Sequence, residues 1–284
     1  MTDSPSEQQR ALVLGGGGIT GIAWELGLLA GLAEAGVDLT SADLVVGTSA
    51  GSVVGAQITS GAALEDLYGR QLEPPSREKP ARMGVWTIAQ FLLAWLVSRG
   101  DDDAFLRGVG RIAMRASTPA EAQRLAVIEN RLPRKEWPER PLRVTTIDAQ
   151  SGEFKVLDRN SGIDLVQAVA SSCAVPGVFP PVTLGMRRYM DGGMRSPANV
   201  DLAAGYRRVV VLAPIAQAFG KRTSPASQLA ALGAERTALV VPDAASKAAI
   251  GRNVLDPAAR APSARAGRAQ ARNEVERVRA SWAE

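Results

Sequence analysis

The sequence predicts an α/β protein built on a mainly parallel sheet, and three observations carry that prediction. An apolar run at 11–14 stops at four consecutive glycines, apolar residues then recur at helical spacing, and a second apolar run follows at 43–46. Strand, glycine loop, helix and strand in that order begin a parallel α/β sheet. A chain of 284 residues, 46% apolar and 22% charged, suits one large globular domain with a sizeable core.

Residues 11–14 read as a buried strand feeding a loop. Ile22, Leu26, Leu29 and Leu32 mark one face of a helix that Gly36 ends. Residues 43–46 read as a second strand, and the small residues through Ala56 as a helix packed closely on the sheet. Residues 71–82 are mostly polar, and 73–80 form a proline-broken connection. A helix over 85–97, with Trp86, Phe91 and Trp95, reads either as a lipid-facing lid or as a buried core helix. Its length favours the core and is too short to span a bilayer. Asp101, Asp102 and Asp103 stand at the start of a further helix, and 119–132 read as another.

Strands return at 142–147 and 154–157, about a turn at Ser151-Gly152. Residues 164–172 read as a helix ending in a proline-rich loop at 175–181, with strands at 208–212 and near 239–241. From Ser263 the tail is rich in Ala and Arg and reads as helix. Its stripe of Arg265, Arg268, Arg272 and Arg279 could meet anionic lipid, though a solvated face paired with Glu276 is the simpler account.

The chain contains no histidine. That removes Ser-His-Asp and Cys-His catalysis, histidine-containing zinc sites and the commonest general base near neutral pH. One cysteine, Cys173, excludes an internal disulfide or a multi-cysteine metal cluster, and its apolar setting reads as packing rather than nucleophile. Lys and Arg number 33 against 29 Asp and Glu, too mild an excess for a nucleic-acid footprint. The polar first ten residues do not make a signal peptide, so a cytoplasmic protein, with peripheral contact to anionic membrane as an option, is expected.

Three motifs carry chemistry. Gly47-Thr48-Ser49-Ala50-Gly51 follows an apolar strand and precedes a small-residue helix, the context of a G-x-S-x-G nucleophile elbow. A capping serine in an ordinary glycine-rich turn fits the same letters. Gly16, Gly17 and Gly18 follow a strand and could turn backbone N–H groups toward an oxyanion. The same segment spells G-x-G-x-x-G through Gly21, but the acid that a dinucleotide site wants at the end of the second strand is absent there, and no Gly-Lys-Ser/Thr follows. Asp191-Gly192-Gly193 reads by default as a tight turn. In a chain without imidazole, a partly buried carboxylate could instead accept the proton of a serine hydroxyl. Arg187 and Arg188 just before it read as a solvated strand end or, less simply, as a phosphate contact.

Together with residues 170–181, these motifs stand in the order seen in the patatin-like phospholipase family, which the chain resembles over roughly 11–58 and 142–213. The resemblance implies a three-layer α/β/α fold with a mainly parallel central sheet and a Ser49–Asp191 dyad hydrolysing fatty-acyl esters of lipids. It also implies oxyanion donors in the Gly16–Gly18 loop, with no metal or cofactor. The family usually carries Arg or Lys where this chain has Thr20, a departure that bears on the oxyanion loop. The expected plan is a disordered N-terminus over 1–10, a patatin-like hydrolase domain over 11–260 with a helical insertion around 61–140, and a basic C-terminal helix over 261–284. The expected function is a serine acyl hydrolase acting on lipid or fatty-acyl ester substrates. The alternative is a non-catalytic binding or regulatory protein that keeps the fold.

Overall fold

In the computed structural model, which describes residues 10–74, 81–218, 220 and 223–283, the strand–loop–helix–strand start builds the centre of one sheet. The expected disordered N-terminus lies outside these residues except for Arg10, and so does most of the proline-broken connection. Strand β1 (Arg10–Leu14) leads into helix α1 (Gly18–Glu34), then β2 (Leu44–Gly47) and α2 (Ala50–Ile58). Four helices follow: α3 (Leu64–Leu72), α4 (Val85–Ser98), α5 (Asp102–Arg115) and α6 (Glu121–Arg131). Next come β3 (Leu142–Asp148), β4 (Phe154–Leu157), α7 (Leu165–Ser172), β5 (Val182–Leu184) and β6 (Arg187–Asp191). The chain ends through β7 (Arg208–Leu212), α8 (Pro225–Ala231), β8 (Arg236–Val240), α9 (Ala244–Ile250) and α10 (Arg260–Trp282).

Strands β3, β2, β1, β7 and β8 run parallel, as crossover helices require, while β4, β5 and β6 are antiparallel additions at the β3 side. The two faces of β1 show why the chain forms three layers. Leu12 and Leu14 point into a core shared with α1, α2, α7 and α10. Ala11 and Val13 point the other way, against Ala198, Val200, Ala203 and Leu229 of α8. Residues buried on both faces explain the unbroken apolar run in the sequence. Phe105, Leu106 and Val109 of α5 cover Ile147 and Met190 at the antiparallel end.

The register of β3 positions the site. Val144 pairs with Gly47 of β2 and Leu157 of β4, and Thr146 pairs with Asp191 of β6 and Lys155 of β4. A strand residue has one partner on each side, so β2 and β6 share the same edge of β3. They run toward each other end to end, and their last residues meet.

Two expectations need comment. The helix over 85–97 is not a buried core element: α4 buries Phe91 and Ser98 and leaves most of its apolar side chains in solvent. Two arginines of the basic tail turn back on the protein, while Arg265 and Arg272 stay exposed. Arg268 pairs with Glu34 and Glu65 and stacks on Tyr68, while Arg279 pairs with Glu276 and donates to the Ala35 carbonyl. Helix α10 lies directly along α1: a Cβ at Gly27 would stand 2.0 Å from the Ala264 carbonyl oxygen, and one at Gly267 2.3 Å from that of Trp24. Trp24 donates its indole N–H to buried Gln270, whose own amide donates to the Val241 carbonyl. Among the described residues no helix is long and apolar enough to cross a membrane.

Candidate active site

Ser49 stands between the end of β2 and the start of α2, with φ at 51° and ψ at −114°, a conformation that side chains rarely adopt. The turn is held from several sides. A Cβ at Gly51 would lie 2.1 Å from the Leu14 carbonyl oxygen, so only glycine lets the elbow close against β1. Gly47, the last residue of β2, pairs with Val144. The Ser49 N–H donates to Ser172 Oγ at 2.9 Å, and the Ser49 carbonyl accepts from Ser52 Oγ at 2.7 Å.

Asp191 closes β6. Its Oδ2 accepts the Ser49 hydroxyl at 2.7 Å, and its Oδ1 accepts the Gly193 N–H at 2.8 Å from the short turn that Gly192 begins. Thus Ser49 and Asp191, 142 positions apart in sequence, are in direct hydrogen-bond contact. Asp191 is almost wholly buried, and that desolvation pushes its carboxyl up from 3.8 to about 6. The Ser49 hydroxyl, the Gly193 amide and, more weakly, the Arg124 guanidinium act in the opposite direction.

The glycine loop passes beside this pair. Gly16 donates its N–H to the Pro197 carbonyl at 2.7 Å, so it anchors the loop rather than offering a free oxyanion donor as the sequence suggested. Gly17 and Gly18 stand at the N-terminus of α1, and among the described residues their amides have no protein acceptor. Gly18 has φ at 60°, and a Cβ there would meet the Val254 carbonyl oxygen at 2.5 Å. Thr20 is fully buried. Its hydroxyl lies 3.3 Å from both the Gly17 and Val254 carbonyls, and its N–H also donates to Val254. Hydrogen bonds to the Val254 carbonyl therefore fasten the loop to the 253–255 segment.

Sequence reasoning missed Asn199 and Ser172. Asn199 is buried with φ at 50°, and its amide reaches Thr48 Oγ1 at 3.0 Å and the Gly192 carbonyl at 3.3 Å, tying the elbow to the Asp-Gly-Gly turn. Nothing in the local sequence distinguishes it. Ser172 ends α7, inside the 170–181 segment that carried part of the family resemblance. Cys173 packs under the elbow, its Sγ 3.3 Å from the Ser49 carbonyl oxygen, and burial pushes its thiol up to about 11, away from nucleophile behaviour. Arg187 pairs with Asp148, and Arg188 donates to the Pro181 carbonyl, so both are engaged with the protein.

A cavity of about 690 Å³ opens on Ser49 and Asp191, walled by Gly17, Gly18, Met83, Ile88 and Val175. A second, of about 600 Å³, also reaches Ser49 and runs toward Arg124, which lies 3.7 Å over the Phe179 ring. No three His, Cys, Asp or Glu side chains gather as a metal site among the described residues.

The family model described as patatin-like phospholipase matches residues 12–204. A lysophospholipase of Aspergillus niger is 30% identical over 203 residues, 71% of this chain but 11% of that protein. One from Emericella nidulans is 31% identical over 183 residues, 64% of this chain and 10% of that protein. The chain therefore spans about a tenth of these relatives' length. Among solved structures, VipD from Legionella pneumophila aligns with 95% of this chain and 67% of its own at a TM-score of 0.48 and 15% identity.

Proposed function

Since this chain belongs to the patatin-like phospholipase family, we propose that it hydrolyses fatty-acyl esters of lipids through an acyl-enzyme on Ser49, with Asp191 as the base. The observation that carries the reading is the 2.7 Å contact between a strained serine and a buried carboxylate beneath a largely apolar cavity. The Ser49 oxygen attacks the acyl carbonyl while its proton passes to Asp191. The carbonyl oxygen becomes an anion beside the Gly17 and Gly18 amides and the N-terminus of α1. Asp191 then gives the proton to the departing alcohol as the C–O bond breaks. Water attacks the acyl-enzyme, Asp191 takes its proton, and the proton returns to Ser49 as the fatty acid leaves. A carboxyl raised to about 6 is a stronger base than a solvent-exposed aspartate and is still ionised at neutral pH.

The same reading sets the protein in the cytoplasm with peripheral contact to membrane, where such substrates reside. A fluorophosphonate probe should label Ser49, and the protein should turn over p-nitrophenyl acyl esters. Ser49→Ala should abolish both. A folded wild-type protein that takes no label and cleaves no ester would instead favour the non-catalytic alternative.

A further inference from the structure

Helix α4 carries no charged side chain along its 14 residues. It buries only a narrow stripe, with Phe91 and Ser98 inward and Thr87 and Ala94 partly covered. Trp86 is 82% exposed, Val97 70%, Leu96 63% and Leu93 61%, with Leu92 and Trp95 near half. At about 200 Å² for a large side chain, these six leave a patch of roughly 700 Å². The largest patch on an ordinary monomer is about 300–600 Å².

Two further observations say what covers it. Ile88, on the same helix, lines the cavity that holds Ser49 and Asp191, so the apolar face continues into the site. On the other side, a groove of about 830 Å³ has Trp86, Leu93 and Val97 on one wall and Arg111 and Arg115 on the other. Arg107, Arg111 and Arg115 recur every fourth residue on α5, all exposed, and none forms an ion pair among the described residues. Asp101, Asp102 and Asp103 stand at the opposite end of α5 from Arg115. An uncharged helix flanked by unpaired guanidinium groups matches a lipid surface with anionic headgroups above acyl chains.

We propose that α4 is an in-plane membrane anchor that, with the arginines of α5, seats the protein on an anionic bilayer with the cavity mouth toward the lipid. The choice of occupant rests on the lipid-hydrolase reading; the surface itself does not. At 14 residues the helix is about 21 Å long, suited to lying in the headgroup region rather than crossing it.

The test uses the full chain and sedimentation with vesicles of phosphatidylcholine alone or mixed equally with phosphatidylglycerol. Wild-type protein should partition to the mixed vesicles. The triple variant Trp86→Gln, Leu92→Gln, Leu96→Gln should lose tenfold or more of that binding while cleaving a dissolved short-chain p-nitrophenyl ester at the wild-type rate. Arg111→Gln with Arg115→Gln should weaken binding to mixed vesicles about fivefold per arginine and leave binding to neutral ones unchanged. Vesicle binding absent from the wild type, or undiminished in the triple variant, overturns the proposal. So does a wild-type dimer that the triple variant converts to monomer, because the face would then belong to a second copy. Vesicle binding without ester cleavage would leave the anchor standing and remove the hydrolase reading; cleavage without binding would do the reverse.

Discussion

Replacing Asp191 by Asn separates what this carboxylate does for chemistry from what it does to stability. The substitution keeps the side chain's shape and an oxygen for the Gly193 amide, but removes the charge and the base. A folded-state value of about 6 against 3.8 favours the protonated form by about 3 kcal/mol. An acid whose value is raised by folding withholds stability above that value and returns it as pH falls toward the unfolded value. The penalty on the wild type is thus nearly complete at pH 8, about 3 kcal/mol, and shrinks to about 1 kcal/mol at pH 4.5. Asp191→Asn should therefore gain up to about 2 kcal/mol relative to wild type between pH 4.5 and pH 8. Denaturant unfolding at the two pH values reads this change directly, whatever constant offset the amide introduces. Over the same range the variant should lose about 10²–10⁴-fold in ester turnover, the usual contribution of a general base. A stability difference that does not move with pH would refute the desolvated-carboxylate argument. Near-wild-type turnover would refute the base.

Other consequences are as specific. The pH profile of kcat/KM should rise through about pH 6 as Asp191 ionises, and a limb centred near 4 would mean that the carboxyl is solvated in the working enzyme. Gly51→Ala should give little folded protein, or folded protein without probe labelling, because its Cβ would stand 2.1 Å from the Leu14 carbonyl oxygen; limited proteolysis and labelling report the two cases. Gln270→Leu should lower stability by about 1–3 kcal/mol by leaving the buried Trp24 N–H unpaired, with ester turnover at a permissive temperature unchanged.

How much of this was legible before any fold was seen depended on whether the signal was local. The glycine loop, the elbow and the first helix are contiguous in sequence, and each is dictated by a steric need that leaves its mark as glycine or as an apolar run. Asp191 was legible because two glycines follow it and the chain has no histidine. The end-to-end placement of β2 and β6 on one edge of β3 was not, because it is set by pairing between segments far apart in sequence, Gly47 with Val144 and Thr146 with Asp191. Gly16 looked interchangeable with its neighbours, and only the Pro197 carbonyl tells its amide from theirs. Asn199 works through a left-handed backbone and a four-way amide that no spacing announces. The outward face of α4 was read only as the lesser of two alternatives, for a different reason. An uncharged, mostly apolar helix of modest length reads as core, and periodicity reports hydrophobicity without saying which solvent will receive it.

The embrace of α1 by α10 places a condition on biosynthesis. The helix whose N-terminus meets the nucleophile is complete at residue 34, yet its cover is not complete until residue 282. During translation the emerging chain must carry α1, apolar on nearly every side, through more than two hundred residues of elongation before its partner arrives. A ribosome-stalled chain that stops just short of residue 260 should therefore be a client for chaperones and lack esterase activity, even though Ser49 and Asp191 have both left the exit tunnel.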